Sequence, residues 1–427
     1  MAVLTGLRVL IGALAAIGAA GAAVAAEWTV HPGDSIGATL ARAAPGDTVR
    51  VERGHYAERL LIDKSITLLG IGRPTISGGL KGDTIRITAE DVTVDGLLVT
   101  DSGDSLIDQN AGIYVYPGAH RTVVRNCELS YNLFGLWIEK SNNVRIENNI
   151  ITGKRDYRSA SRGNGIQLYN TKSAQILGNR IGFVRDAIYV DVSHHAIFRG
   201  NKLHHSRYGT HYMNSYYNLW EDNDSWFNRG GLALMEVRHQ TVRNNRAWGN
   251  SDHGIMLRTL QDSVVENNVV AGNSRGFFIY DVEYIALRGN LVIDNTVGVH
   301  LSAGSFRNEV ERNDFISNRE QIRYVASRDE TWGAKEGNYW SNYVGWDRNG
   351  DGIGDVPYQA NDVVDRLSWR HPMMKLLLAS PAVQTLRLIG QQFPLLRAPS
   401  IVDPNPRMKP LHENWRDWLG KHFPGRR

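Results

Sequence analysis

From about residue 45 to 325 the chain repeats one pattern: short runs in which hydrophobic and polar residues alternate, separated by polar corners. Asparagines mark the corners at Asn149, Asn179, Asn201, Asn223, Asn245, Asn268, Asn290 and Asn313, and after the first step the intervals are 22 or 23 residues. Eight residues after most of them a small residue opens a hydrophobic-x-hydrophobic triplet, as in Gly209-Thr210-His211-Tyr212, Gly231-Leu232-Ala233-Leu234, Gly276-Phe277-Phe278-Ile279 and Gly298-Val299-His300-Leu301. Alternation of period two means strand. A unit this short cannot bury its apolar face alone, whereas stacked coils bury it continuously. The pattern therefore predicts an all-β solenoid, a parallel β-helix. Its corner asparagines are expected to take left-handed backbone angles and to hydrogen-bond along the stack.

The ends of the array are set off by other patterns. Ser35 to Ala44 has helical spacing behind Asp34, a plausible N-cap, and such a helix would plug the open first coil. Met373 to Leu378, Ala382 to Phe393 and Glu413 to Phe423 also have helical apolar spacing, the last placing Trp415, Trp418, Leu419 and Phe423 on one side, with a Pro-rich extended stretch before it. These residues are expected either to cap the last coil or to dock on a partner. Residues 1–26 read as a secretory signal: Arg8, the apolar run Val9 to Ala23, then Ala-Val-Ala-Ala before Glu27. The organisation expected is a signal over 1–26, the β-helix with its cap over 27–325, a post-repeat segment over 326–366 and a helical, Pro-rich tail over 367–427.

Composition narrows the function classes. A net charge of +4 on 427 residues gives little support to nucleic-acid binding, and one cysteine, Cys127, permits no internal disulfide. The repeats write two outward columns of side chains, neighbours lying about 4.8 Å apart. The first runs Tyr114, Trp137, Gln167, Tyr189, His211, Ala233, Met256, Phe278, His300, and the second Tyr116, Glu139, Tyr169, Asp191, Met213, Met235, Arg258, Tyr280, Ser302. His211, Met213, Met235 and Met256 gather in the middle coils, with His195 and His239 nearby in a column of their own. Imidazole with thioether suits copper, above all Cu(I). Methionine also fills apolar gaps and surface histidine is ordinary, so a bland reading stands beside the metal one.

Two corners are lengthened, between Asp95 and Gly112 and between Asn149 and Gly165, one acidic (Asp101, Asp104, Asp108) and one basic (Lys154, Arg155, Arg158, Arg162). They flank Tyr114, Trp137 and Tyr169, which with Glu139 and Asp191 suggest an aromatic cleft. Two carboxylates two coils apart keep a rival class open, a polysaccharide lyase, epimerase or hydrolase. After the repeats, Asp347, Asn349, Asp351, the Ile353 carbonyl and Asp355 fall at calcium-loop positions around Gly352, although Tyr358 stands where such a loop carries its bidentate glutamate.

The opening segments Gly46 to Val51, Gly54-His55-Tyr56 and Ile66 to Gly70 resemble the first coils of right-handed, pectate-lyase-like β-helices. The block Gly337-Asn338-Tyr339-Trp340-Ser341-Asn342-Tyr343, the Asp347 to Asp355 run, Val356-Pro357-Tyr358 and the tail from Ser380-Pro381 through Pro404-Asn405-Pro406 are similar to those of the NosD family. The resemblance implies a periplasmic, non-catalytic accessory factor in copper-site assembly of nitrous oxide reductase. It implies as partners an ABC transporter with its membrane subunit and ATPase, a copper chaperone and the reductase itself, contact with the membrane being made only through a partner. No phosphate-binding loop occurs in the sequence, so any ATP hydrolysis belongs to another subunit. The copper ligands proposed above come from column geometry, not from the family.

Overall fold

The computed structural model describes residues 25–302, 304–325, 330–360, 373, 377, 380–392 and 400–423. The expected export signal lies outside them up to residue 24, as does much of 361–379. The chain coils as a right-handed parallel β-helix with three strands per turn. Asp186–Asp191, Ile197–Arg199 and Lys202–His204 make one coil, and Tyr208–Met213, Leu219–Glu221 and Asp224–Trp226 stack on it in parallel register. One face carries 13 strands, from His55–Tyr56 to Tyr339–Trp340, which at about 4.8 Å per rung gives a rod of about 60 Å. The other two faces merge into a single 24-stranded sheet, because His253–Glu266 rounds the corner without a break. The array does not stop at residue 325: Tyr339–Trp340 pairs with Asp314 and Phe315 as a further rung.

The interior is Val, Ile and Leu stacked on their own kind, with an aromatic plug in mid-rod where Phe198 and Trp220 stack at 3.8 Å. Polar groups enter this core only as a closed set of hydrogen bonds, as burial demands. In the asparagine ladder each Oδ1 accepts the next-lower backbone N–H and Nδ2 while its own Nδ2 donates onward. Asn223, for example, donates to Asn245 Oδ1 from N at 3.0 Å and from Nδ2 at 2.9 Å. The ladder opens where Cys127 N donates to Asn149 and runs through Asn313 to Asn338. Asp403, arriving from far downstream, terminates it by accepting from Asn338 N at 2.9 Å and Nδ2 at 3.0 Å. A second ladder, Asn228, Asn250, Asn273, Asn295 and Asn318, fills another corner.

The expected double role of the corner asparagine is divided between neighbours. Left-handed angles fall on the residue before the ladder position, such as Asn148 (φ 55), Asp222 (φ 56) and Asn267 (φ 55), and the ladder asparagines themselves keep negative φ. An inward amide needs a strand-like backbone, so the turn strain falls one residue earlier.

The N-terminal helix Ile36–Arg42 covers the first coil, and its N-cap is Ser35, not Asp34: the Ser35 side chain accepts from Ala38 N, and Glu58 accepts from Ile36 N and Gly37 N. At the far end the tail folds back. Buried Asp314 accepts from Leu411 N, His412 N and His412 Nδ1, at 3.0, 2.7 and 2.7 Å, which ties the returning chain to the rod's flank. Helix Trp415–His422 then lies on the 13-stranded face against Ala271, Leu291, Ile293 and Ile316. Among the described residues no helix is long and apolar enough to cross a membrane.

Candidate functional site

Both outward columns form in the expected register: Tyr189, His211, Ala233, Met256, Phe278 and His300 are successive neighbours, as are Asp191, Met213, Met235 and Arg258. The first column is not solvated surface, however. Gln167 and Tyr114 are 5 % exposed, Met256 8 % and Ala233 0 %. A third column, Asp186, Tyr208, Gly230, His253, Arg275, Val297 and Glu320, stands beside it and covers it.

The two columns build a notch in mid-rod. The coil beginning at Gly230 contributes only Gly230 and Ala233 there, so side chains from the coils on either side lean into the gap. His253 occupies the space over Gly230, where an added Cβ would meet its Nε2 at 2.3 Å and the Tyr208 ring at 2.7 Å. His211 packs against the same tyrosine, with ring centroids 5.3 Å apart for Tyr208–His211 and 5.6 Å for Tyr208–His253, both pairs tilted rather than stacked. Met256 follows Ala233 in the column, and Met213 and Met235 pair at the rim, Met213 Sδ accepting from Tyr189 Oη at 3.8 Å.

The electrostatics leave imidazole lone pairs unused. His211 Nδ1 lies 3.2 Å from Asp186 Oδ2, and Arg207 Nε donates to Asp186 Oδ1 at 2.8 Å while its Nη2 reaches Oδ2. Because an ionised Asp186 can only accept, we assign the proton of His211 to Nδ1, donating to Asp186. Burial raises the Asp186 pKa, but the hydrogen bonds from His211 and Arg207 outweigh it, and the carboxyl titrates below its ordinary value. His211 Nε2 is a buried nitrogen with no hydrogen-bond partner. His253 is buried, with neither ring nitrogen hydrogen-bonded, Nδ1 standing 3.7 Å from Asp252 Oδ2. Burial lowers its pKa, against the pull of Asp252, and keeps it neutral near neutral pH. A carboxylate holding one nitrogen of a histidine while the other is free is the arrangement metal-ligating histidines adopt. Imidazole and thioether are donor types that suit a soft monovalent ion, while no group of three or more His, Cys, Asp or Glu is arranged for a metal here or elsewhere among the described residues.

His195 and His239 are not part of this notch. Each stacks on a face of Tyr217, at 5.1 and 4.6 Å, so a whole tyrosine ring separates them. Imidazole lone pairs lie in the ring plane, which here is perpendicular to the line joining the rings, and the two cannot share an ion.

The front cleft forms in part. Trp137, Tyr169 and Asp191 line a pocket of about 460 Å³ with Phe134, Gln167 and Arg185. Glu139 is not in it: its Oε2 accepts from Tyr114 Oη at 2.7 Å, and Lys140 lies 3.1 Å from Oε1. Tyr114 is itself buried, and burial together with Glu139 pushes its pKa up. Tyr169 stands between Glu139 and Asp191 in the register, so the pair needed by a two-carboxylate hydrolase does not share one pocket. The lengthened corners grip each other instead, Lys154 reaching Asp104, with Tyr157 Oη donating to the same carboxylate at 2.9 Å.

Two further expectations change. The Trp415, Trp418, Leu419 and Phe423 side offered for docking is turned onto the rod: Leu419 is 9 % exposed and the Phe423 ring stands against Trp248 at 5.7 Å. Rod glycines permit the approach, since a Cβ on Gly272 would meet the Phe423 ring at 2.7 Å. In the Asp347 to Asp355 loop the carboxylates turn to the loop's own amides, Asp347 accepting from Gly350 N and Gly352 N and Asp351 from Ile353 N. No group of three or more His, Cys, Asp or Glu is arranged for a metal among the described residues, so calcium at Asp347, Asn349, Asp351, Ile353 and Asp355 gains no support from the geometry. Cys127 is buried, and burial pushes its thiol up to about 12.

By fold the chain is a parallel β-solenoid. The profile described as right handed beta helix region matches residues 68–163. Similar solved structures include the A-module of the mannuronan C-5 epimerase AlgE6 of Azotobacter vinelandii, with a TM-score of 0.54 and 15% identity over 68% of this chain and 91% of that one. The surface adhesin PfbA of Streptococcus pneumoniae gives a TM-score of 0.54 and 12% identity over 71% and 90%. At such identities the likeness concerns the fold alone. Within that class the chain belongs to the NosD family. The profile described as periplasmic copper-binding protein (NosD) matches residues 148–345. The Pseudomonas aeruginosa protein named "Probable ABC transporter binding protein NosD" is 36% identical over 399 residues, 88% of this chain and 93% of that one. Its namesake from Stutzerimonas stutzeri is 34% identical over 376 residues, 84% and 86%.

Proposed function

We propose that this chain is a periplasmic accessory factor that holds Cu(I) transiently in the notch between His211, His253 and Met256, with Met213 and Met235 at its entrance. It would act with an ABC transporter and a copper chaperone in copper-site assembly of nitrous oxide reductase. The observation that carries the copper reading is the pair of buried imidazoles, His211 and His253, with ring nitrogens that have no hydrogen-bond partner, His253 filling the space over Gly230 and His211 standing next to Ala233 in the column. Buried polar atoms without partners are rare and call for an explanation, and a thioether-lined gap offers Cu(I) the soft donors it prefers. The family description and the relatives' names support the wider role. For the transporter we assign helix Pro381–Gln392, which presents Leu386 and Ile389, 41% and 44% exposed, in place of the Trp415 helix.

The test is Cu(I) titration of the purified chain against a competing chelator. His211→Ala and His253→Ala should each weaken Cu(I) binding by about tenfold or more, Met256→Leu should weaken it too, and His195→Ala and His239→Ala should leave it unchanged. Undiminished affinity in the His211→Ala, His253→Ala double variant would move the copper elsewhere.

A further inference from the structure

Beside the notch lies a second cavity, of about 710 Å³, that the copper reading does not use. One wall is the lengthened corner at Ser159, Ala160 and Arg162, and the floor carries Phe183, His205 and Phe227, with arginines from three consecutive coils, Arg185, Arg207 and Arg229. Successive corners place these arginines one rung apart, about 4.8 Å. Their charges are unequally spent. Arg207 is held by Asp186, and Arg162 by the carbonyls of Tyr157, Phe183 and Arg155. Arg229 is 63% exposed and only 3.8 Å from Asp252, whereas no hydrogen bond or ion pair engages the Arg185 guanidinium among the described residues. Arg155 stacks over the Phe183 ring at 3.8 Å and adds a further positive charge at the rim. Phe227 is 50% exposed, a ring left in water on the floor of a cationic trough.

We propose that this trough binds an acidic, extended segment of a protein partner, its carboxylates pairing with Arg185 and Arg229 and its backbone lying over Phe183 and Phe227. Arginines recognise carboxylates through paired N–H donors, and clusters of them read acidic motifs. Three rungs span about 10 Å, room for three or four residues of extended chain. An insertion that rises at one corner of a solenoid builds a binding face there, and Ser159 to Arg162 supplies that wall. Arg207 joins trough and notch, since its Nη2 lies 3.2 Å from His211 Nδ1, so a segment seated here would bring its parent protein against the His211 side of the rod. The inference goes beyond the copper reading and stands without it.

The test uses the full mature chain and a short fluorescent poly-glutamate peptide, followed by anisotropy, with poly-glutamine and oligogalacturonate as comparators. The expected result is salt-sensitive binding of poly-glutamate and none of poly-glutamine. Arg185→Glu and Arg229→Glu should each weaken binding at least about tenfold, Arg185→Gln less, with Cu(I) affinity and thermal unfolding unchanged in the Arg185 variants. Absence of poly-glutamate binding, binding indifferent to both reversals, or tighter binding of oligogalacturonate at the same arginines would overturn the proposal, the last making the trough a sugar site. Loss of copper binding in His211→Ala with poly-glutamate binding intact would leave this proposal standing.

Discussion

Replacing Asn245 with alanine tests whether the amide ladder holds the rod together. Asn245 is 5% exposed; its Oδ1 accepts from Asn223 N and Nδ2, and its Nδ2 donates to Asn268 Oδ1, Trp220 O and Arg243 O, each at 3.0 Å. Alanine leaves both Asn223 donors facing an empty corner. A buried unmet donor costs about 1 to 3 kcal/mol, so two of them, with the void, should lower the unfolding free energy by about 3 kcal/mol or more. The polarity of the ladder gives a sharper control. Asn245→Asp keeps the acceptor but turns a second oxygen toward Asn268 Oδ1 and Trp220 O, which are both acceptors, and buries a charge. It should therefore be worse than alanine at neutral pH. Urea unfolding followed by far-UV circular dichroism gives the loss, and hydrogen exchange at the Asn223 amide localises it. An alanine variant within about 1 kcal/mol of the parent, or an aspartate variant milder than alanine, would show that water satisfies these groups and that the ladder is incidental.

Two other measurements bear on different parts of the molecule. Burial holds His204 and His300 down to about 4, while an unfolded histidine titrates near 6.5. The unfolded chain then binds more protons between these values, and stability should fall as pH drops from about 6.5 to about 4. His300→Phe should flatten part of that slope in urea midpoints measured across the range, and an unchanged slope would count against the assignment. For the transporter contact proposed for helix Pro381–Gln392, Leu386→Glu with Ile389→Glu should abolish co-purification with the membrane subunit while leaving Cu(I) affinity and thermal unfolding as they were. Retained co-purification would exclude that helix.

The repeat period carried the solenoid and the register of both outward columns, because a chain that gains a rung every 22 or 23 residues has little freedom in which side chains stack. The second asparagine ladder was equally readable, its members Asn228, Asn250, Asn273, Asn295 and Asn318 standing five residues after first-ladder asparagines. Arg185, Arg207 and Arg229 were readable in the same way. Burial was not. Alternation assigns Gln167, Ala233 and Met256 to the outside, yet a neighbouring column covers them, and only the gap at Gly230 reveals why His253 belongs with His211. Tail contacts were beyond reach of local pattern: the apolar side of Trp415 to Phe423 announces a contact, but whether it meets a partner or Trp248 and Gly272 depends on a return path no periodicity encodes. The His195 and His239 column was placed correctly one above the other, and it fails as a ligand set because stacked rings point their lone pairs sideways.

The ladder's last rung gives the molecule a way of registering its own completion. Every asparagine along the rod both gives and receives, so the stack as such has no natural end and each new coil exposes a fresh set of hungry donors. Asp403 only receives, and it comes from 65 residues beyond Asn338. A chain folded only as far as Asn338 would therefore carry an open, adhesive stack until Asp403 docks, and a variant lacking that carboxylate would stay marked as unfinished for proteases to find.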